Sequence, residues 1–396
     1  MTRIAIIADD LTGAADAAVA FANRGHSSRV LLDPGFTTGV DVIAVTTESR
    51  HLPPSIAADR VRAMAHHLYG TPLLYKKIDS TLRGNLTAEL FALMEAFEVQ
   101  RALVAPAFPA QGRTTVRGRQ FINGEPLEQS DFRAQVPTSN LREIFLRAHD
   151  ARPVGLILLS DVRRGASRVN ELLTARSTGI MIADAETDTD LATIARAVLS
   201  SGLRLICGSA GLCHPLAQQI QTGHDTAANP PIQAGGPIIT IAGSLHTATI
   251  KQIERARAAG IAVIEPVNFA TRAIDVIVEQ AATQVENGQD VVIASHLVDD
   301  STPSDLAVSD RLARLADRLL RRVQAGGLVL TGGDVASATC RELGIRAIDL
   351  FGEVQPGIPY GVLRGGGADM MPVVTKAGGF GDADAIVTSI RFLKGE

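Results

Sequence analysis

The chain has no tryptophan among its 396 residues, and with 3 tyrosines and 12 phenylalanines its aromatic content is 4%. That scarcity removes the stacking platforms on which single-stranded nucleic acids are usually held. A formal charge of −4 supplies no basic footprint for DNA or RNA either, so no nucleic-acid partner is expected. Cysteine is equally sparse. Cys207, Cys213 and Cys340 form no C-x-x-C pair and are odd in number, which reads as buried small hydrophobes in a reducing compartment and points to the cytoplasm. The first apolar run stops after five residues at two acids, and no later run approaches a membrane span, so neither a leader nor a membrane partner is expected. The 9 histidines show no H-x-x-x-H or H-E-x-x-H spacing, and no protein-held transition metal is expected. No G-x-x-x-x-G-K-[ST] loop occurs, and no G-x-G-x-x-G follows the first strand, which excludes the familiar NTPase and dinucleotide fingerprints.

What is present is an apolar content of 46%, enough for two cores in a chain too long for one. Short β-rich runs alternate with helical stretches, which predicts α/β architecture. The expected arrangement is two three-layer α/β/α domains with mainly parallel sheets and an interdomain cleft. Strands are expected at 4–8, 28–32, 42–46, 73–78, 102–106, 154–159, 179–183 and 205–208, with helices at 13–24, 54–69, 87–97, 139–148, 166–176 and 188–199 between them. Residues 222–237 lose all periodicity to Gly, Pro, Asn and Thr and read as a linker. The boundaries that follow are 1–225, a linker at 226–236, and 237–396. In the second half strands are expected at 238–242, 261–265, 290–294, 327–331, 347–350 and 371–375, with helices at 247–259, 270–287 and 305–325. The arginines of the last helix (Arg311, Arg314, Arg318, Arg321, Arg322) share it with Asp310 and Asp317 and read as a solvated face.

Chemistry concentrates in a few places. Residues 4–13, Ile-Ala-Ile-Ile-Ala-Asp-Asp-Leu-Thr-Gly, form a buried strand that ends on Asp9 and Asp10 before a tight turn into an Ala-rich helix. Ligands of open α/β sheets bind beyond the carboxyl ends of strands, so the pair is placed to meet a hydroxyl or a metal. One of the two acids also suits a plain helix cap. Residues 75–85, Tyr-Lys-Lys-Ile-Asp-Ser-Thr-Leu-Arg-Gly-Asn, pack Lys77, Asp79, Ser80, Thr81 and Arg83 after another apolar strand, with Lys76 sent to the opposite face. That set suits an anionic, polyhydroxylated ligand; a surface turn with ordinary salt bridges is the plainer reading. Residues 105–118, rich in Pro and Gly, read as a stiff loop presenting Arg113, Thr114 and Arg117. In the second half three glycine turns follow strands: Gly243-Ser244, Gly332-Gly333-Asp334 and Ala377-Gly378-Gly379-Phe380-Gly381. Each can aim backbone N–H groups from a helix N-terminus at phosphate oxygens.

Taken in order, IADDLTGAAD, KKIDSTLRGN, PAFPAQGRTTVRG and the GS, TGGD and KAGGFG turns resemble one family, the four-carbon acid sugar kinases. The resemblance runs along essentially the whole chain. It implies transfer of the γ-phosphoryl group of ATP, with Mg²⁺, to the 4-hydroxyl of a short sugar acid such as D-threonate, D-erythronate or a 3-oxo-tetronate. A kinase of another short sugar acid (3-oxo-isoapionate) and a non-catalytic sugar-acid sensor are the alternatives, and a homodimer is compatible with either. The resemblance places substrate contacts on Asp9, Asp10, Arg50, Lys77, Ile78, Asp79, Ser80, Thr81 and Arg83, and Arg113 of the stiff loop is added to them as a candidate anion contact. Nucleotide contacts fall on Ser244, Gly332, Gly333, Asp334, Val335, Gly378 and Gly379. Asp10, Asp79 and Lys77 are the expected catalytic groups, with Asp10 facing the attacking hydroxyl and Asp9 a structural neighbour. Where many members read Gly-Gly-Glu-Thr-Ser, this chain reads Gly332-Gly333-Asp334-Val335-Ala336-Ser337, one methylene shorter at the acid and without the hydroxyl that follows it.

Overall fold

The computed structural model describes residues 2–36, 39–148, 152–221, 232–266, 271–295 and 305–396. The chain divides into two compact units, residues 1–26 with 37–226 and residues 27–36 with 227–396. Its strands run, in chain order, β1 (Ile4–Ala8), β2 (Ser28–Leu31), β3 (Val42–Thr46), β4 (Leu73–Lys77), β5 (Arg101–Ala105), β6 (Arg113–Val116), β7 (Arg119–Ile122), β8 (Glu125–Pro126), β9 (Val154–Ile157), β10 (Gly179–Ala183) and β11 (Leu205–Gly208). They continue with β12 (Ile238–Ala242), β13 (Ala262–Ile264), β14 (Val291–Ala294), β15 (Gly327–Thr331), β16 (Ala347–Gln355), β17 (Ile358–Arg364) and β18 (Pro372–Lys376).

In the first unit the sheet runs β3-β1-β4-β11-β5-β10-β9, every pair parallel. Strand β1 is buried along its whole length, as a strand covered on both faces must be. The helices are α1 (Leu11–Ala22), α2 (Pro54–Ala65), α3 (Leu86–Ala96), α4 (Leu141–Arg147), α5 (Leu159–Val162), α6 (Ala166–Thr174), α7 (Asp188–Ser201) and α8 (Ala210–Gln219). Because β1 has β3 on one side and β4 on the other, its carboxyl end is a topological switch point, where such sheets take ligands.

The second unit has the order β13-β14-β12-β15-β18-β17-β16-β2. The first five strands are parallel, and the last three add antiparallel pairs. Its helices are α9 (Thr247–Ala258), α10 (Thr271–Glu286), α11 (Asp305–Arg322), α12 (Gly333–Glu342) and α13 (Ala385–Lys394). The arginines of α11 pair outward, Arg318 with Asp275, Arg321 with Asp317 and Arg322 with Glu279, as a solvated face should. No helix among the described residues is long and apolar enough to cross a membrane.

Four features depart from the sequence reading. Strand β2 belongs to the second unit, where Ser28–Leu31 pair with Leu350–Ala347 of β16. Residues 113–126 form a three-stranded sheet rather than a stiff loop. Its first hairpin turns on Arg117 (φ 52°) and Gly118 (φ 68°), two consecutive left-handed residues of the kind tight hairpins need. Strand β17 was hidden by Pro359 and Gly361, which weaken a strand signal. Here Gly361 is required, since a Cβ would lie 1.8 Å from Asp349 O. Helix α8 was masked by Pro215 and Gly211. The expected linker falls partly at 222–231, outside the described residues, as does Ala270, the expected first residue of α10.

Candidate functional site

Strand β1 delivers Asp9 and Asp10 side by side, and one cation holds both. Arg50, four residues after β3, donates from Nε and a terminal nitrogen to the two oxygens of Asp9, each at 2.9 Å, and from its other terminal nitrogen to Asp10 Oδ2 at 2.7 Å. Asp10 is at the same time the N-cap of α1: its Oδ1 accepts from Gly13 N at 2.8 Å and its Oδ2 from Thr12 Oγ1 at 3.1 Å. The cap therefore falls on the acid expected to face the attacking hydroxyl. Gly13 is needed there, because a Cβ would come within 2.4 Å of Asp10 Oδ1. Burial pushes the Asp9 carboxyl up, but Arg50, Lys76 and Lys77 outweigh burial and hold it below the usual carboxylate range.

Strand β4 supplies the facing wall. Asp79 Oδ1 accepts from Thr81 N and Thr81 Oγ1, both at 2.9 Å, and Oδ2 takes Arg83 at 2.5 Å. Burial raises this carboxyl too, yet Arg83, Arg50, the Thr81 N–H and Lys77 lower it well below the ordinary value. The Arg83 guanidinium lies 5.4 Å over the ring of Phe132. Ile78 is buried and donates its N–H to Gly208 O, so it offers backbone rather than a polar side chain. Ser80 is half-buried, and its carbonyl accepts from Gln120 Nε2 at 2.8 Å. Arg113, at the start of β6, donates to Gln111 O and leaves a buried Nε without a partner among the described residues. Burial lowers its pKa, with Asp79 and Arg83 within electrostatic reach.

Lys77 is the outlier. It is 5% exposed, yet its ammonium makes no hydrogen bond or ion pair among the described residues. Asp9 and Asp79 both feel its charge, and its Nζ lies beside Gly13 at the first turn of α1. A buried cation without a direct partner is costly, which makes Lys77 a candidate ligand-binding residue. The site thus gathers four cations (Arg50, Lys77, Arg83, Arg113) around three carboxylates (Asp9, Asp10, Asp79), one positive charge in excess.

Below this wall lies a network that sequence reading missed. Lys76 Nζ pairs with Glu89 of α3 at 2.6 Å, both side chains nearly fully buried. Glu89 accepts from Ser49 Oγ at 2.7 Å, and Ser49 Oγ lies 2.6 Å from Thr47 Oγ1. The chain leading to Arg50 is thereby fixed from beneath. The available signal was Glu89 itself, spaced with Leu86 and Leu93 on the apolar face of α3. Replacing Lys76 alone by Met should destabilise the protein by about 3–5 kcal/mol, because the buried Glu89 loses its cation. The double change Lys76→Met with Glu89→Leu should recover most of that loss, and urea unfolding of the two variants measures both.

In the second unit the three glycine turns converge. Strand β12 ends at Gly243-Ser244, β15 at Gly332 and β18 at the turn 377–381, and β12 with β15 forms this sheet's switch point. A Cβ on Gly378 would lie 2.0 Å from Ser244 Oγ, and one on Gly332 would lie 3.5 Å from Ser244 N. Gly332 (φ 101°) is the N-cap of α12, with Gly333, exposed Asp334 and buried Val335 in the first turn. The Val335 side chain fills the space over Gly243. His246 Nδ1 caps α9 by accepting from Ala248 N, and its ring packs on Gly379. From α9, Thr249 Oγ1 donates to Gly378 O at 2.8 Å and Gln252 Nε2 to Asp382 O at 2.7 Å. Gly333 opens α12 and Ser244 precedes α9 by three residues, so these two helix N-termini form the kind of arrangement that can receive phosphate oxygens, while the turn at 377–381 ends before α13 begins at Ala385. Among the described residues no cluster of three His, Cys, Asp or Glu could hold a metal ion.

Residues 4–216 match a family described as a sugar-binding N-terminal domain, and residues 239–386 one described as a nucleotide-binding C-terminal domain. The chain is 32% identical to the D-threonate kinase of Salmonella typhimurium, over 99% of this chain and 98% of that one. It is likewise 32% identical to the D-erythronate kinase of Heliobacterium modesticaldum, over 99% of this chain and 97% of that one. A solved structure from Salmonella typhimurium LT2 superposes with a TM-score of 0.83, covering 99% of both chains at 22% identity, which shows the shared fold.

Proposed function

The chain belongs to the family of four-carbon acid sugar kinases, and from that premise we propose that it transfers the γ-phosphoryl group of ATP to the 4-hydroxyl of a four-carbon sugar acid. The observation that carries the substrate class is the charge count of the first unit's site. One positive charge in excess suits a single carboxylate, and three fixed carboxylates offer acceptors to the hydroxyls of a trihydroxy acid. Lys77, with no partner of its own among the described residues, takes the acid's carboxylate or the incoming phosphoryl group.

Phosphoryl transfer relies on positioning and charge neutralisation more than on covalent work by the protein. The 4-hydroxyl oxygen bonds to the γ-phosphorus as the bond to the β–γ bridging oxygen breaks; ADP leaves, and the hydroxyl proton passes to Asp10. Asp10 suits this role because its side chain is 15% exposed, against 4% for Asp9 and 9% for Asp79. Arg50 keeps it aimed, donating to Oδ2 at 2.7 Å. Mg²⁺, carried in with ATP, would draw charge from the transferring group. Asp334 would hold it through water, and a lone exposed carboxylate fits a hydrated ion carried in on its substrate.

Purified protein with ATP and Mg²⁺ should release ADP with D-threonate, D-erythronate or 3-oxo-tetronate. Four-carbon acids lacking the 4-hydroxyl should give none. Substrate-independent ADP release across the panel, or binding of the acids without turnover, would sink the kinase reading.

A further inference from the structure

Lys376 ends β18 with its side chain in the interior, 1% exposed; no carboxylate among the described residues meets it, and burial lowers its pKa to about 7. Its ammonium lies 3.0 Å from Ala377 O, 3.1 Å from Phe380 O, 3.2 Å from Gly378 O and 3.5 Å from Thr249 Oγ1. These are oxygens of the glycine turn that the lysine itself begins, plus the hydroxyl that also holds Gly378 O. Gln252 completes the set from α9, reaching Phe380 O at 3.1 Å and Gly381 O at 3.4 Å.

In a trans peptide the C=O and the following N–H point in opposite directions. Carbonyls 377, 378 and 380 are drawn inward, so the N–H groups of Gly378, Gly379 and Gly381 face the other way. None of those three N–H groups has a hydrogen-bond acceptor among the described residues, whereas Phe380 N is spent internally on Ala377 O. Ser244 crowds Gly378 from the neighbouring turn, which brings the outward side of the loop to the convergence point of all three turns.

We propose that Lys376 is a positioning residue for the nucleotide: an internal hydrogen-bond donor that gathers the carbonyls of the third glycine turn and so presents its N–H groups to phosphate oxygens without touching the ligand. The inference rests on the reading of this unit as the ATP site. The ammonium occupies the place a bound potassium ion would take among carbonyl oxygens. Removing it should leave a cage that a small cation can refill.

The test is calorimetric titration of the full chain with ADP and, separately, with the best sugar acid. Lys376→Ala should weaken ADP binding by roughly 30-fold, in line with the loss of charge-assisted hydrogen bonds, while sugar-acid affinity stays unchanged. Ammonium or potassium chloride should restore most of the loss, and tetramethylammonium chloride at equal ionic strength should not. Thr249→Val, which deletes one neutral bond and spares the charge, should weaken ADP by roughly 5-fold and decides the matter if Lys376→Ala does not fold. Wild-type protein that fails to bind ADP overturns the nucleotide reading and this inference together. Wild-type binding with unchanged ADP affinity in Lys376→Ala or Thr249→Val overturns the inference alone, as does a loss that small cations do not repair.

Discussion

Arg50→Ala is expected to lower kcat/KM for the sugar acid by on the order of 10³-fold and to destabilise the fold by about 3–5 kcal/mol. Both effects have one origin. The guanidinium is the only direct cationic partner that Asp9 has among the described residues, and it shares Asp10 with the cap of α1. Without it, two adjacent carboxylates at the end of a fully buried strand repel each other, and one protonates or the turn opens. Arg50→Lys keeps the charge but cannot grip Asp9 with two parallel bonds and Asp10 with a third. It should recover part of the stability and little of the rate. Urea unfolding paired with steady-state kinetics on the same preparations reads both. An Arg50→Ala protein of wild-type stability would show that the acids are not held as described.

Lys77→Met is expected to separate the two quantities. Turnover should fall by on the order of 10³-fold, whereas stability should stay within about 1 kcal/mol of wild type, because the desolvation of an ammonium without a direct partner and its attraction to Asp9 and Asp79 oppose each other. Lys76→Met, one residue away, should do the reverse at first: it loses stability through Glu89, and activity only as far as Arg50 shifts. The contrast between neighbours on one strand is the sharpest check on the site. If Lys77→Met unfolds as readily as Lys76→Met, then Lys77 is a structural lysine and the excess charge is not reserved for a ligand.

The strands that carry chemistry were legible because short apolar runs stop abruptly on polar residues. That signal located Asp9-Asp10, the stretch from Lys77 to Arg83 and all three glycine turns, and the structure brings each group together within its own unit. Illegible were the partners supplied from elsewhere in the chain. Glu89 reaches Lys76 from a helix, Gln120 reaches Ser80 from a hairpin, and Thr249 and Gln252 reach the turn after β18 from a helix more than a hundred residues earlier. Periodicity reports which face of an element is buried, not what it will meet there. Asp10 shows the limit in another way: cap and ligand group use the same residue types, and here one carboxylate serves the cap and Arg50 together. The hairpin at 113–126 escaped notice because proline and glycine look alike in a loop and in a tight turn.

Strand β2 also bears on how the protein can be taken apart. The chain enters the second unit for residues 27–36, leaves it, and returns at 227. A fragment beginning at the presumed linker would therefore present β16 as a bare edge, with the hydrogen-bonding groups opposite Ser28–Leu31 open to any extended chain. The C-terminal half expressed alone is expected to associate or precipitate, and adding a peptide spanning residues 27–36 should suppress this. On the ribosome the same threading means that an early segment must wait for the last third of the chain before its own sheet exists. Independent folding and independent inheritance of the two halves are thus not equivalent: a recombination that exchanged only residues beyond 226 would import a sheet whose final strand stays behind.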